Sequence, residues 1–136
     1  MSVVIDSTIT VAWLFEDEAS TISEAVLDQL VDGEAIVPAV WQLEVTNALI
    51  DAESHGRLSE AQAERLISLL DQLPIIVSHA ADDPAAVHAA AHRHRLSAYQ
   101  ASYLVLAQRL GVPLATTDPA LANAARLTGT RLASGV

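Results

Sequence analysis

Short apolar runs alternate with longer amphipathic stretches along the chain, and this alternation predicts a parallel sheet covered by helices. Aliphatic and β-branched runs predict strands at 3–5, 35–37, 73–77 and 112–116, and 130–132 is the candidate for a last edge strand. Helices are expected at 8–14, 23–32, 41–55, 59–71, 85–94, 97–110 and 120–127. Residues 1–136 are therefore predicted to form one doubly wound α/β domain around a mostly parallel sheet of four to five strands.

The composition supports one domain with a substantial core, since the chain has 136 residues and 51% of them are hydrophobic. No apolar run reaches the length of a membrane span, and no basic segment precedes a cleavable apolar one, so we expect no membrane association. The sequence has no cysteine, which excludes disulfides, thiolate catalysis and zinc–thiolate sites. These features are typical of a cytoplasmic protein.

The charged residues exclude several α/β enzyme classes. All seven basic residues are arginines. The chain therefore lacks the lysine that a P-loop or a phosphoaspartate enzyme requires. A dinucleotide-binding G-x-G-x-x-G is also absent from the sequence. The formal net charge of −10 argues against binding of nucleic acid over the whole surface. Nucleic acid would then bind only through a local arginine cluster or a bridging cation. The negative charge is equally compatible with a basic protein partner.

Two aspartates follow predicted strands at equivalent places. Asp6 comes directly after the strand at 3–5, and Asp118 follows the strand at 112–116. Ligands of open α/β sheets bind at the carboxyl ends of the strands, beside helix N-termini. Ser7 is expected to cap the helix that begins at Thr8. The alternative for Asp6 is a turn residue that hydrogen-bonds its own loop, and the alternative for Asp118 is the N-cap before a proline. A carboxylate has enough lone pairs to serve both roles.

Two further polar residues lie on helix faces directed toward the core. Glu44 lies on an apolar face of the helix at 41–55, so a buried carboxylate there would need a partner, for which Asn47 is the candidate. The alternative is a residue at the boundary of this face whose carboxylate reaches water or pairs with an arginine. Gln100 forms a predicted capping box with Ser97 and shares a face with Tyr103. We predict that Asp6, Glu44, Gln100 and Asp118 meet in one pocket at the carboxyl edge of the sheet.

Four segments together resemble a known family: V-V-I-D-S, L-E-V-T-N-A-L, L-S-A-Y-Q-A-S-Y-L-V-L-A and L-A-T-T-D-P-A-L. In this order and spacing, the chain resembles the PIN-domain ribonucleases, and most closely the VapC-type toxins of toxin–antitoxin pairs. The resemblance implies a PIN-like α/β/α sandwich with endoribonuclease activity that depends on Mg²⁺ or Mn²⁺. It also implies a homodimer that a cognate antitoxin protein neutralises.

The resemblance places the family's acidic residues on Asp6, Glu44 and Asp118. The remaining acid, an aspartate in Y-D-A, is replaced here by Gln100 in Y-Q-A. An amide ligates a metal only through its carbonyl oxygen and adds no charge, so Gln100 is a doubtful ligand. Two hypotheses follow: a metal-dependent RNA-cleaving toxin, or a weakened or inactive PIN-like module that acts by binding a protein. A hydrolase of other phosphates is disfavoured by the missing lysine and glycine-rich loops.

One local basic cluster precedes Gln100, and it comprises His88, His92, Arg93, His94 and Arg95. Arg93 and Arg95 are candidate RNA contacts, together with Thr117 beside Asp118. The alternative for the cluster is a solvated helix face. For Thr116 and Thr117, the alternative to positioning a phosphate or a water is an ordinary β-branched strand end.

Overall fold

A computed structural model describes residues 1–133 and shows an α/β fold built on a four-stranded parallel sheet. The strands are β1 (Ser2–Ile5), β2 (Glu34–Val37), β3 (Ile75–Val77) and β4 (Leu114–Ala115). Their order across the sheet is β3-β2-β1-β4, and every pair is parallel. The predicted α/β class and the parallel sheet are confirmed.

All seven predicted helices are present. They are α1 (Ser7–Leu14), α2 (Thr21–Gln29), α3 (Val40–Ser54), α4 (Glu60–Asp71), α5 (Pro84–His94), α6 (Ala98–Leu110) and α7 (Pro119–Leu127), with a short 3-10 turn at Glu16–Glu18. Helix α2 begins earlier than predicted because Ser20 and Ser23 form a reciprocal capping box. The expectation that Ser7 caps α1 is wrong, because the Asp6 side chain is the N-cap.

The segment 130–132, the candidate last edge strand, lies at the edge of the sheet beside β4 but forms a bridge rather than a strand. Within residues 1–133, this segment makes a single parallel bridge, between Leu114 and Leu132. Strand β4 offers little more to pair with on this side, because the Val112 N–H donates to the Ala107 carbonyl and the strand ends at Ala115.

The hydrophobic side chains form two clusters of unequal size. The larger one contains the buried strand β1 and most of the apolar face of α6. The smaller one consists of Phe15, Leu49, Ala52 and Ala63, and it lies between α3 and α4. Helix α4 contributes only Ala63 to the buried residues. Among the described residues, no helix has the length and apolarity needed to cross a membrane.

The strand order determines where the polar residues lie. Strands β1 and β4 are neighbours, with Ile5 paired to Ala115. Because both strands run in the same direction, the residues that follow them emerge at the same edge of the sheet. Asp6 and Thr116 therefore lie side by side at the carboxyl edge.

Candidate functional site

Asp6 is a buried carboxylate held by three donors. Its exposed fraction is 3%. Its Oδ1 accepts from the Thr8 hydroxyl at 2.6 Å and from the Ile9 amide at 3.2 Å, and its Oδ2 accepts from the Thr116 hydroxyl. Burial nevertheless raises the pKa of Asp6, and the negative charge of Asp118 adds to this rise. The Asp6 carboxylate thus occupies an environment that favours a compensating positive charge.

Thr116 connects the two strand-end aspartates. Its hydroxyl donates to Asp6 and accepts from the Asp118 amide at 2.9 Å. The Oδ1 atom of Asp118 caps α7 by accepting from the Ala120 amide at 2.9 Å. Asp118 therefore has the predicted N-cap role and also faces Asp6. Thr116 is a strand-end residue as well as the group that fixes this pair.

Gln100 contacts Asp118 through its nitrogen. Its Oε1 accepts from the Ser97 amide at 2.8 Å, and its Nε2 donates to Oδ2 of Asp118. The Ser97 N–H needs an acceptor, so this hydrogen bond fixes which end of the amide faces Asp118. Gln100 therefore forms the predicted capping box with Ser97 and lies beside Asp118 as predicted. The atom that faces Asp118 is a donor nitrogen, however, and not an oxygen that could bind a metal.

Glu44 is paired with a tyrosine. Its half-buried carboxylate accepts from the Tyr103 hydroxyl at 2.5 Å through Oε1, whereas Asn47 is exposed. Burial, the hydrogen bond to Glu44 and the charges of Glu44 and Asp6 all raise the pKa of Tyr103, so the phenol stays protonated. The pKa of Tyr103 is thus affected by both Glu44 and Asp6. The sequence indicated Tyr103 only through the helix face that it shares with Gln100.

An open cleft is lined in part by the sequence neighbours of Asp6 and Asp118. Its volume is about 290 Å³, and Ser7, Thr8, Val11, Glu18 and Thr117 line it. The exposed Thr117 donates its amide to the Thr8 hydroxyl at 3.0 Å, which links the loops after β1 and β4. Sequence reasoning missed Thr8, although a hydroxyl two residues after an aspartate is a recurrent partner of that carboxylate.

The basic cluster lies at the end of α5. Arg93 and Arg95 line a small cavity together with residues of α7. The His88 and His92 rings are stacked on one another with centroids 6.2 Å apart. Neither histidine belongs to a metal-binding group of three or more side chains within residues 1–133.

The donor set can be tested against a divalent cation. Within residues 1–133, no three histidine, aspartate or glutamate side chains converge closely enough to hold a metal ion. Asp6 and Asp118 remain as two neighbouring oxygen donors, and the charge of Asp118 raises the cost of ionising Asp6. Mg²⁺ is commonly bound by one or two carboxylates, with water and substrate phosphate completing its shell. The aspartate pair fits that mode, whereas a closed cage of four protein ligands does not form.

Comparisons with known proteins agree with this fold. The family model described as PIN domain matches residues 3–127. A solved structure, PAE2754 from Pyrobaculum aerophilum, is 22% identical, has a TM-score of 0.67, and the match covers 91% of this chain and 87% of that one. FitAcB from Neisseria gonorrhoeae is 16% identical with a TM-score of 0.66, covering 98% of this chain and 97% of that one.

A third solved structure, a toxin–antitoxin complex from Klebsiella pneumoniae, is 14% identical with a TM-score of 0.58. That match covers 85% of this chain and 86% of the other. No curated protein sequence matches the chain. At these identities, the solved structures establish a shared fold.

Proposed function

The chain belongs to the PIN domain family, and we propose that it is an endoribonuclease toxin of the VapC type, dependent on Mg²⁺ or Mn²⁺. The observation that carries the proposal is the pair of aspartates at adjacent strand ends, Asp6 and Asp118, joined through the Thr116 hydroxyl. A buried carboxylate with a raised pKa beside a second acid is typical of a catalytic centre.

Asp6 and Asp118 would hold the cation, and Glu44 lies on the neighbouring helix α3. When bound, such a cation neutralises charge on a scissile phosphate and makes a water molecule more acidic. Gln100 is at most a weak ligand, because its carbonyl oxygen is used by the Ser97 amide. The predicted four-residue set therefore divides into two metal-binding aspartates, one further acid and one amide that positions Asp118.

The remaining residues of the centre hold these groups in place. Thr8 and Thr116 fix the two Asp6 oxygens. The Tyr103 hydroxyl fixes one oxygen of Glu44, which directs the other oxygen to accept a proton from an attacking water. Thr117 borders the open cleft, where an RNA phosphate would approach. Arg93 and Arg95 are proposed as RNA contacts outside this centre.

The proposal includes an antitoxin partner and a homodimer. One structural neighbour is a toxin–antitoxin complex, which supports the first. Exposed apolar side chains also support a protein partner, since single large ones are ordinary but neighbouring ones mark contact surfaces. Leu43 and Ile50 are both exposed and, seven residues apart, share one face of α3. Co-purification with the product of an adjacent reading frame tests the antitoxin, and light scattering of the isolated chain tests the dimer.

A second function is favoured by one observation. The Gln100 amide already donates to the Asp118 oxygen that a cation would use. If this hydrogen bond prevents cation binding, the chain is a PIN module that acts by binding its partner protein, without cleaving RNA. The cleavage assay below separates the two functions.

The test is cleavage of end-labelled single-stranded RNA by the purified chain in Mg²⁺, in Mn²⁺ and in EDTA. We expect cleavage only with a divalent cation and its loss in Asp118→Asn. Asparagine is as good an N-cap as aspartate, so this variant keeps the start of α7 while losing the charge. Arg65→Gln, on the exposed side of α4, is the control and should cleave normally.

Cleavage that persists in EDTA, or in Asp118→Asn, would contradict the proposed centre. A parent chain that is inactive in every metal, beside an active Gln100→Asp variant, would identify the binding module instead.

A further inference from the structure

The charges of the chain are segregated along its sequence. Of the 17 acidic residues, only Asp118 lies beyond residue 83, whereas five of the seven arginines do. Two cations are already paired: Arg57 with Asp17, and Arg109 with Asp83. The segment from α5 to α7 is therefore basic within a strongly acidic protein, and it carries Asp118 and Gln100 of the proposed centre.

Part of this basic segment encloses a small cavity. Its volume is about 160 Å³, and it lies between the end of α5 and the side of α7. Its polar lining consists of Arg93, His94, Arg95 and the Asn123 amide, with no carboxylate among the lining residues. Guanidinium and amide N–H groups are donors that suit phosphate oxygens.

Arg95 adopts an unusual backbone conformation there. It is the C-cap of α5 with φ 55° and ψ 45°, and it is the one residue other than glycine with a positive φ among the described residues. Glycine or asparagine is preferred in this left-handed region, because a Cβ atom is strained there. An arginine at a position that favours glycine points to a use for its side chain.

An exposed aromatic residue, Tyr99, follows the arginines of this cavity in the sequence. The chain has five aromatic residues other than histidine, and Tyr99 is the only one that the described structure leaves exposed, at 58%. It lies in the first turn of α6, four residues after Arg95 and next to Gln100, which contacts Asp118. Exposed aromatic rings flanked by arginines are the usual platforms on which single-stranded bases stack.

We propose that Tyr99, Arg93, Arg95 and Asn123 form a binding site for single-stranded RNA beside the acidic centre. A base stacks on the Tyr99 ring, and the adjoining phosphates are bound by the two guanidinium groups and the Asn123 amide. The inference rests on the proposed function, because it takes RNA as the molecule that the centre receives. It adds the stacking role of Tyr99, the role of the Asn123 amide and the side from which the strand enters.

The observations favour RNA over an acidic protein segment. An acidic segment would match the arginines, but it would have no use for an exposed aromatic ring four residues after Arg95. Gln100, which follows Tyr99 in the chain, contacts Asp118, the one acid of the basic segment, and the proposed function places Asp118 at the scissile phosphate. A strand held on Arg95 and Tyr99 would thus lead toward Asp118.

The test measures binding of a fluorescein-labelled single-stranded RNA by anisotropy, over a series of NaCl concentrations. EDTA keeps the RNA intact, and the measurement is repeated with Mg²⁺ in the Asp118→Asn background. Tyr99→Ala should weaken binding by about 5- to 100-fold, with an unchanged salt dependence. Tyr99→Phe keeps the stacking surface and should bind like the parent.

Arg95→Gly should lower the salt slope by about 0.7, as expected for one lost phosphate contact on a single strand. It should also melt no lower than the parent, since glycine suits the left-handed conformation. Arg65→Gln removes the same charge from the acidic part of the chain and should leave the salt slope unchanged.

Equal binding by Tyr99→Ala, Tyr99→Phe and the parent would overturn the inference, even if the parent cleaves RNA. A change of sedimentation in Tyr99→Ala or Arg95→Gly without a change in RNA affinity would also overturn it, and would identify a protein interface. Loss of metal-dependent cleavage in the parent beside normal RNA binding would instead refute the proposed function alone.

Discussion

Replacing Gln100 by aspartate reverses the interaction at the centre of the proposed site. The substitution removes the donor to Asp118, a hydrogen bond to a charged group that contributes about 1.5–3 kcal/mol. It also places a second carboxylate against the first, and two like charges about 4 Å apart repel by about 4 kcal/mol at an effective dielectric constant of about 20. Both side chains are half-buried, so solvent screening reduces the repulsion to roughly half.

Without a divalent cation, Gln100→Asp should therefore be less stable than the parent by about 3–5 kcal/mol. Aspartate still suits the first turn of α6, so the capping contribution is largely retained. A cation at a hundred times its dissociation constant restores about 2.7 kcal/mol. For a chain of this size, that corresponds to a rise of about 10 °C in melting temperature.

The assay is a thermal melt of the parent and the variant over a titration of MgCl₂ or MnCl₂ at constant ionic strength. Gln100→Asn is the matched control, because it has the length of aspartate without its charge. The steeper response to metal should appear in the aspartate variant alone, and RNA cleavage should rise with it. If all three chains respond alike to the cation, position 100 does not influence the metal and the reasoning from the Asp118 contact is refuted.

Two further outcomes follow from the buried acids. Because the pKa of Asp6 is raised in the folded chain, stability is lost as the pH rises from the ordinary carboxyl pKa through the raised pKa of Asp6, so metal-free Asp6→Asn should gain stability over the parent across that range. Urea unfolding at several pH values measures this, and a pH-independent difference would contradict the assigned cause. Tyr103→Phe should cost about 1–2 kcal/mol, because it removes the donor to Glu44. A double-mutant cycle with Glu44→Gln checks it, and additive losses would show that the pair is not coupled.

Much of the fold could be predicted from local patterns in the sequence. The seven helices carry their own end signals, such as the Ser97 capping box and the prolines after Asp83 and Asp118. The edge pairing could not be predicted in this way. Whether 130–132 pairs over several residues depends on how far β4 extends on that side, which is limited by the Val112–Ala107 hydrogen bond and by the end of the strand at Ala115.

The predicted site residues could be placed, but their contacts could not. The positions of Asp6 and Asp118 at strand ends follow from the alternating pattern. The link through Thr116 depends on β1 and β4 being neighbours, which no short-range pattern encodes. Likewise, Glu44 and Tyr103 lie on different helices and are 59 residues apart in the sequence, so no local pattern predicts their pairing. The orientation of the Gln100 amide depends on its hydrogen bonds to both Ser97 and Asp118, and the second of these partners is distant in the sequence.

The small cluster between α3 and α4 has a consequence for how the protein unfolds. Helix α4 buries little besides Ala63, and a helix of this length is marginally stable without packing. Its amide hydrogens should therefore exchange with solvent through local opening, at a free energy well below that of global unfolding. Both tryptophans, Trp13 and Trp41, belong to the larger cluster and do not report on α4. Heating should consequently reduce helical circular dichroism before it changes tryptophan fluorescence.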